Sequence, residues 1–230
     1  MKKTRALNLI SLIFNLLIVV FTIHGVSECF RTDVIRDENW FGSSGWECFK
    51  FFTVLSNVFV AIVAFIVLIY SIKNIINDEL KMPKWVFMLK FVATTAVTVT
   101  FMTVVFFLGP YVVVLGKSYF SMFTGNNFFM HLLTPLLAIF SFIFCERTDN
   151  FSFKNTWLGL VPVVLYGIVY TIMVVFVGEA NGGWKDFYGF TFGGNMWAIP
   201  ISLVVMLGAT FGFACLLWFC QKKNVEKQKI

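Results

Sequence analysis

Apolar residues run almost unbroken through six stretches of the chain, at 6–26, 51–72, 85–108, 127–145, 157–178 and 196–220. A bilayer core of about 30 Å asks for about 20 apolar helical residues, because a helix rises about 1.5 Å per residue. A helix also satisfies its own backbone hydrogen bonds where there is no water. The pattern therefore predicts an all-α membrane protein, with a single transmembrane domain over 1–230 built as a six-transmembrane-helix bundle. The first stretch, from Ala6 to Ile23, is longer than the roughly 7–15 residues of a signal-peptide core, and VSECFRTD after it offers no clear small-residue cleavage site. It reads as a retained span. The first three helices share no polar pattern with the last three, which weakens an inverted-repeat transporter reading.

The basic residues orient this bundle. With the N-terminus inside, thirteen Lys and Arg fall on the inner side: Lys2, Lys3, Arg5, Lys73, Lys81, Lys84, Lys90, Arg147, Lys154, Lys222, Lys223, Lys227 and Lys229. Five fall outside: Arg31, Arg36, Lys50, Lys117 and Lys185. The positive-inside rule then predicts that both termini are cytoplasmic. Trp85, Trp157 and Trp218 mark the inner boundary, and Trp184 and Trp197 the outer one, as an aromatic belt would. Composition agrees. Only 13% of residues are charged and mean hydropathy is +0.83, against about 25% charge in soluble domains. The net charge of +6 sits at helix ends and in the C-terminal tail, so it is no nucleic-acid signal. The Phe-, Lys-, Asn- and Ile-rich usage suggests a bacterial plasma membrane.

The longest outer loop, 27–49, carries five acidic residues together with Cys29 and Cys48. Those two could form a disulfide in an oxidising exterior or remain thiols near an interface. Cys145, Cys215 and Cys220 lie toward the cytoplasmic ends, where thiols are expected. No Cys/His spacing suggests a metal, and nothing calls for a cofactor.

With no Asp, Glu, Lys or Arg expected deep in any apolar segment, the interesting polar groups are neutral. FFTVLSN at 51–57 places Thr53, Ser56 and Asn57 on neighbouring turns. NFFMHLLTPLL at 127–137 places His131 one turn after Asn127 and one before Thr134 and Pro135. Both helices run from outside to inside, so Thr53 and His131 lie at similar depth, within about 10 Å of the outer boundary. Pro135 cannot donate to the His131 carbonyl, which permits a bend and a small cavity. A Thr hydroxyl becomes a nucleophile when a base takes its proton, and a neutral imidazole can be that base. Asn57 could donate to a developing oxyanion, with Ser56 and Asn127 as further oxyanion or substrate contacts. A substrate that already partitions into lipid, such as a fatty acid ester, fits this setting.

Structural roles compete with each of these. A lone Thr in a membrane helix usually bonds to its own backbone or to a neighbouring helix. His24 sits near the outer end of the first helix and reads as interfacial. The run of Thr94, Thr95, Thr98, Thr100 and Thr103 reads as a helix-packing stripe, with Thr100 and Thr103 able to line a cavity. Glu179 and Asp186 read as solvated loop charges, or either could orient an imidazole. Gly182, Gly183, Gly193 and Gly194 suggest a mobile outer loop.

The two quoted stretches resemble the signature helices of the androgen-induced protein family, which includes the androgen-dependent tissue factor pathway inhibitor regulator. Its members are multi-spanning membrane hydrolases that cleave fatty acid esters of hydroxy fatty acids with a Thr nucleophile and a His partner. The resemblance implies that Thr53 is the nucleophile and His131 the base. The expectation is an intramembrane lipid esterase whose partners are a lipid or fatty acid ester substrate and the bilayer, with no nucleic acid. The alternatives are a non-catalytic lipid-binding protein or transporter, or an acyltransferase on a similar scaffold.

Overall fold

The computed structural model describes residues 2–31, 43–79, 81–149 and 151–228, and the regular structure there is entirely helical. Arg36, Lys229 and three acidic residues of the first loop (Asp33, Asp37 and Glu38) lie outside the described residues. The apolar stretches form α1 (Lys2–Cys29), α2 (Phe52–Asn77), α3 (Lys84–Val114), α4 (Phe128–Phe144), α5 (Phe153–Val177) and α6 (Ala198–Gln228). All but α4 are long and apolar enough to cross a membrane. The shorter α4 joins six π-helical residues, Phe128–Leu133, to eleven α-helical ones, Thr134–Phe144.

The faces of α1 explain why these helices assemble. Leu9, Ile13, Leu16, Val20 and Ile23 follow one another at spacings of three and four and are all exposed. The opposite stripe is buried and mostly polar: Asn8, Ser11, Asn15, Ile18 and Thr22. This reverses the pattern of a soluble helix. In lipid, apolar side chains gain nothing by facing inward, and association relies on close packing and hydrogen bonds between helices. Gly25 lets α1 approach α4 closely, since a Cβ there would lie 2.8 Å from Met130 Cγ.

One end of the bundle, here called basal, carries the start of α1 and the end of α6. There Asn8 Nδ2 donates to the Glu79 carbonyl (2.7 Å), and Asn224 Nδ2 to that of Ile143 (2.8 Å). At the opposite, apical end Asn126 Nδ2 donates to the Gly25 carbonyl (3.0 Å). Trp85 and Trp157 are exposed near the basal end and Trp197 near the apical end. The central helix is α3, which packs against α2, α4, α5 and α6. The threonine stripe serves this packing. Thr100 Oγ1 meets Ser56 Oγ of α2 at 2.9 Å, and Thr95 lies against Gly159 of α5.

Three prolines set three of the irregularities, while the π-helical stretch Ile172–Val177 of α5 carries none. Pro110, Pro135 and Pro162 each stand second in an α-helical stretch. Each stretch follows directly on a turn of another period: π-helical Val104–Leu108, π-helical Phe128–Leu133 and 3-10 Phe153–Leu160. Proline lacks an N–H and clashes with the carbonyl four residues earlier, so the ladder changes period just before it.

The structure overturns the expectation that no charged side chain enters the apolar body. Lys90, read from sequence as a cytoplasmic boundary charge, is fully buried, and so is Glu146. Lys90 Nζ donates to Asn15 Oδ1 (2.6 Å), and Asn15 Nδ2 reaches Glu146 Oε1 (3.1 Å). Ser141 and Ser11 also donate to that carboxylate oxygen, and Ser11 meets Ser71 of α2. Opposite charges are thus bridged by one amide within a basal polar layer drawn from α1, α2, α3 and α4. Arg147 turns away to cap α4, donating to the Phe144 (2.8 Å) and Glu146 (2.7 Å) carbonyls.

Candidate functional site

The apical end is organised by the loop between α5 and α6. Asp186 gathers four donors: the Tyr170 hydroxyl (2.7 Å) and Phe190 N–H (2.9 Å) on Oδ1, and the Thr191 N–H (2.7 Å) and hydroxyl (2.6 Å) on Oδ2. Burial works to raise the Asp186 carboxyl, but these donors outweigh it and hold the group below its ordinary value. Glu179 is exposed. Neither acid reaches His131; Asp186 is an internal fastener, and the glycine-bearing loop is tied down around it. Gly193 and Gly194 supply the positive φ that its turns need. The loop then grips α2. Phe52 N–H donates to the Tyr188 hydroxyl (3.1 Å), whose own proton burial holds on by raising its pKa to about 12.

Thr53 follows, half-buried in the first turn of α2. Its hydroxyl makes no hydrogen bond among the described residues, so the usual back-bond of a membrane Thr is not made. Its carbonyl accepts from Ser56 Oγ (3.1 Å) and Asn57 Nδ2 (2.8 Å). Asn57 is fully buried and also donates to the Met130 carbonyl of α4 (3.1 Å). That bond stitches the two helices one turn beyond Thr53 and one residue before His131.

His131 lies in the π-helical turn and is 7% exposed. Its Nδ1 is 2.8 Å from the Met122 carbonyl. A carbonyl only accepts, so Nδ1 carries the hydrogen and neutral His131 keeps a bare lone pair on Nε2, as a general base requires. Met122 belongs to a short 3-10 turn, Tyr119–Phe123, which is anchored on α3. Tyr119 Oη donates to the Val105 carbonyl (3.0 Å), and the Tyr119 ring lies over Gly109.

That anchor gives a first prediction. A Cβ at Gly109 would lie 2.3 Å from Tyr119 Cε2. Gly109→Ala should push the ring off α3 and drag the Met122 carbonyl with it. Nitrogen NMR of the imidazole should then report a mixture of tautomers in place of one.

The sequence-derived residues divide. Asn57 links the apical turns of α2 and α4 that carry Thr53 and His131, through the Thr53 and Met130 carbonyls, and Thr53 and His131 share no hydrogen bond. Both N–H groups of Asn57 are engaged by carbonyls, so its spare atom is an acceptor and not an oxyanion donor. Ser56 turns to α3. Asn127 is exposed, and its neighbour Asn126 makes the interhelical contact instead. His24 is exposed and meets the Phe129 ring edge-on at 4.8 Å. Cys29 and Cys48 pack in one apolar cluster with Val54 and Met130. Met122 and Tyr188 were not anticipated: one acts through a backbone carbonyl, and the other comes from a loop more than a hundred residues from α2.

No family model, no curated protein and no solved structure matches the chain.

Proposed function

We propose that the chain is an intramembrane lipid esterase of six spans, with both termini cytoplasmic and the apical site near the outer face of a bacterial plasma membrane. One observation carries this reading. The His131 imidazole is oriented by the Met122 carbonyl with Nε2 bare, at the helix junction that also holds the unengaged Thr53 hydroxyl. Thr53 Oγ1 attacks the ester carbonyl while His131 Nε2 takes its proton. The imidazolium returns that proton to the leaving alkoxide, leaving an acyl group on Thr53.

The oxyanion falls to backbone. Thr53 N–H lies in the first turn of α2, where no intrahelical acceptor precedes it. In this reading the acyl chain takes an apolar groove whose lining holds no residue of α2 or α4. The groove, of about 330 Å3, runs between α5 and α6, lined by Val163, Gly167, Phe176, Leu203 and Leu207. Its α5 wall adjoins Tyr166, which donates to the Lys50 carbonyl and packs on Phe52 beside Thr53. Substrate then enters sideways from the bilayer.

A fluorophosphonate probe on purified protein, followed by mass mapping, tests the proposal. The expected adduct is on Thr53 and is lost in His131→Ala. Label at another residue, or failure of the purified protein to hydrolyse any long-chain ester, would count against it. The buried Lys90–Asn15–Glu146 layer favours a second reading, since charged groups inside membrane segments often mark solute or ion paths. That reading expects solute flux into proteoliposomes and no adduct.

A further inference from the structure

An acyl-enzyme becomes a hydrolase only if water reaches the acyl carbon, and two oxygen atoms beside the junction bear on that step. Asn57 Oδ1 and Thr134 Oγ1 are both buried, in fully buried residues, and neither has a hydrogen-bond partner. Their isolation has a local cause. A helical Thr normally donates to the carbonyl four residues back, which for Thr134 is that of Met130. Here the π-helical turn breaks that register, sending the Thr134 N–H to the Phe129 carbonyl, and the Met130 carbonyl accepts from Asn57 instead. The Thr134 hydroxyl is left with a proton to donate. Asn57 has spent both N–H groups and is left with an acceptor. Thr22 of α1 closes the junction, its hydroxyl donating to the Asn57 carbonyl (3.5 Å).

One spare donor and one spare acceptor, on facing helices tied at a shared carbonyl, are the complement of a water molecule. A buried water usually makes about three hydrogen bonds. From this we infer that Asn57 Oδ1 and Thr134 Oγ1 hold the hydrolytic water, making both positioning residues for deacylation; the inference rests on the esterase reading. Thr134 donates to the water oxygen, Asn57 Oδ1 accepts one of its hydrogens, and the second hydrogen points to His131 Nε2. The water oxygen bonds to the acyl carbon as Nε2 takes that proton. The C–O bond to Thr53 then breaks, Oγ1 recovers the proton from the imidazolium, and the fatty acid leaves. This geometry favours water over an acceptor lipid, and so a hydrolase over an acyltransferase.

Partitioning is the readout. Purified full-length protein in micelles is given a long-chain p-nitrophenyl ester with and without glycerol, and free acid and glycerol ester are both measured. Thr134→Val keeps the side-chain shape without the hydroxyl. It is expected to retain the acylation burst and to lower the ratio of acid to glycerol ester by about tenfold, roughly the worth of one hydrogen bond. Thr134→Ser should restore the ratio, and Thr134→Ala serves if valine does not fold. A burst with an unchanged ratio in the valine or alanine variant would overturn the water assignment and leave the esterase standing. No release of p-nitrophenol from the unsubstituted protein would overturn both.

Discussion

Lys90→Met should destabilise the bundle by about 3–5 kcal/mol, the range observed when one partner of a buried ion pair is removed. The change leaves Glu146, one of whose oxygens already lacks a hydrogen-bond partner, with the neighbouring Arg147 as its remaining compensating charge, and leaves Asn15 Oδ1 without its ammonium donor. Glu146→Gln should also destabilise, by leaving the fully buried Lys90 ammonium uncompensated. The informative variant is the double one. Lys90→Met with Glu146→Gln removes both charges and should recover most of the loss, because an apolar replacement of a whole buried pair is often neutral or better. Unfolding of purified protein by SDS, followed by helical circular dichroism, measures all three. Additive losses in the double variant would mean that the two charges do not compensate each other through Asn15.

In the esterase reading, His131→Ala should lower kcat by about 10²–10⁴-fold, the usual contribution of a general base, with KM little changed. Thr53→Ala removes the attacking atom and should be at least as severe. The double variant should be no worse than the poorer single one, since nucleophile and base act as one unit. Neither change should cost much stability: the Thr53 hydroxyl holds nothing in place, and His131 contributes one bond to a carbonyl. Loss of fold in either variant would point to a structural role. Hydrolysis of long-chain esters, measured beside SDS unfolding of the same preparations, separates the two outcomes.

The helical membrane architecture was legible because it depends on long apolar runs, which sequence displays directly. The apical junction was half legible. Thr53 and His131 stood out as polar groups at matched depth, and Pro135 announced the irregular turn around His131. What could not be read was which atoms of those residues remain available. The pairing of Asn57 with the Met130 carbonyl is a backbone contact between distant segments, and no residue type signals it. Lys90 was misplaced for a related reason. Six residues into α3 it resembles a boundary lysine, and only the burial of α3 on all sides puts it in the core. A usable signal did exist in α1. Asn8, Ser11, Asn15 and Thr22 follow the spacing of a single helix face, and a polar stripe on an apolar helix indicates partners within the bundle.

The brevity of α4 bears on how the site meets its surroundings. Six π-helical and eleven α-helical residues extend about 25 Å at most, against about 30 Å of hydrocarbon. A segment shorter than the membrane makes the lipid adapt, and the usual adaptation is local thinning. Headgroups and their ester linkages would then dip toward the apical start of α4, where His131 sits. In the esterase reading with α4 as a span, thicker bilayers would resist that dimple, so lipid tail length becomes a control on how easily an ester comes within reach.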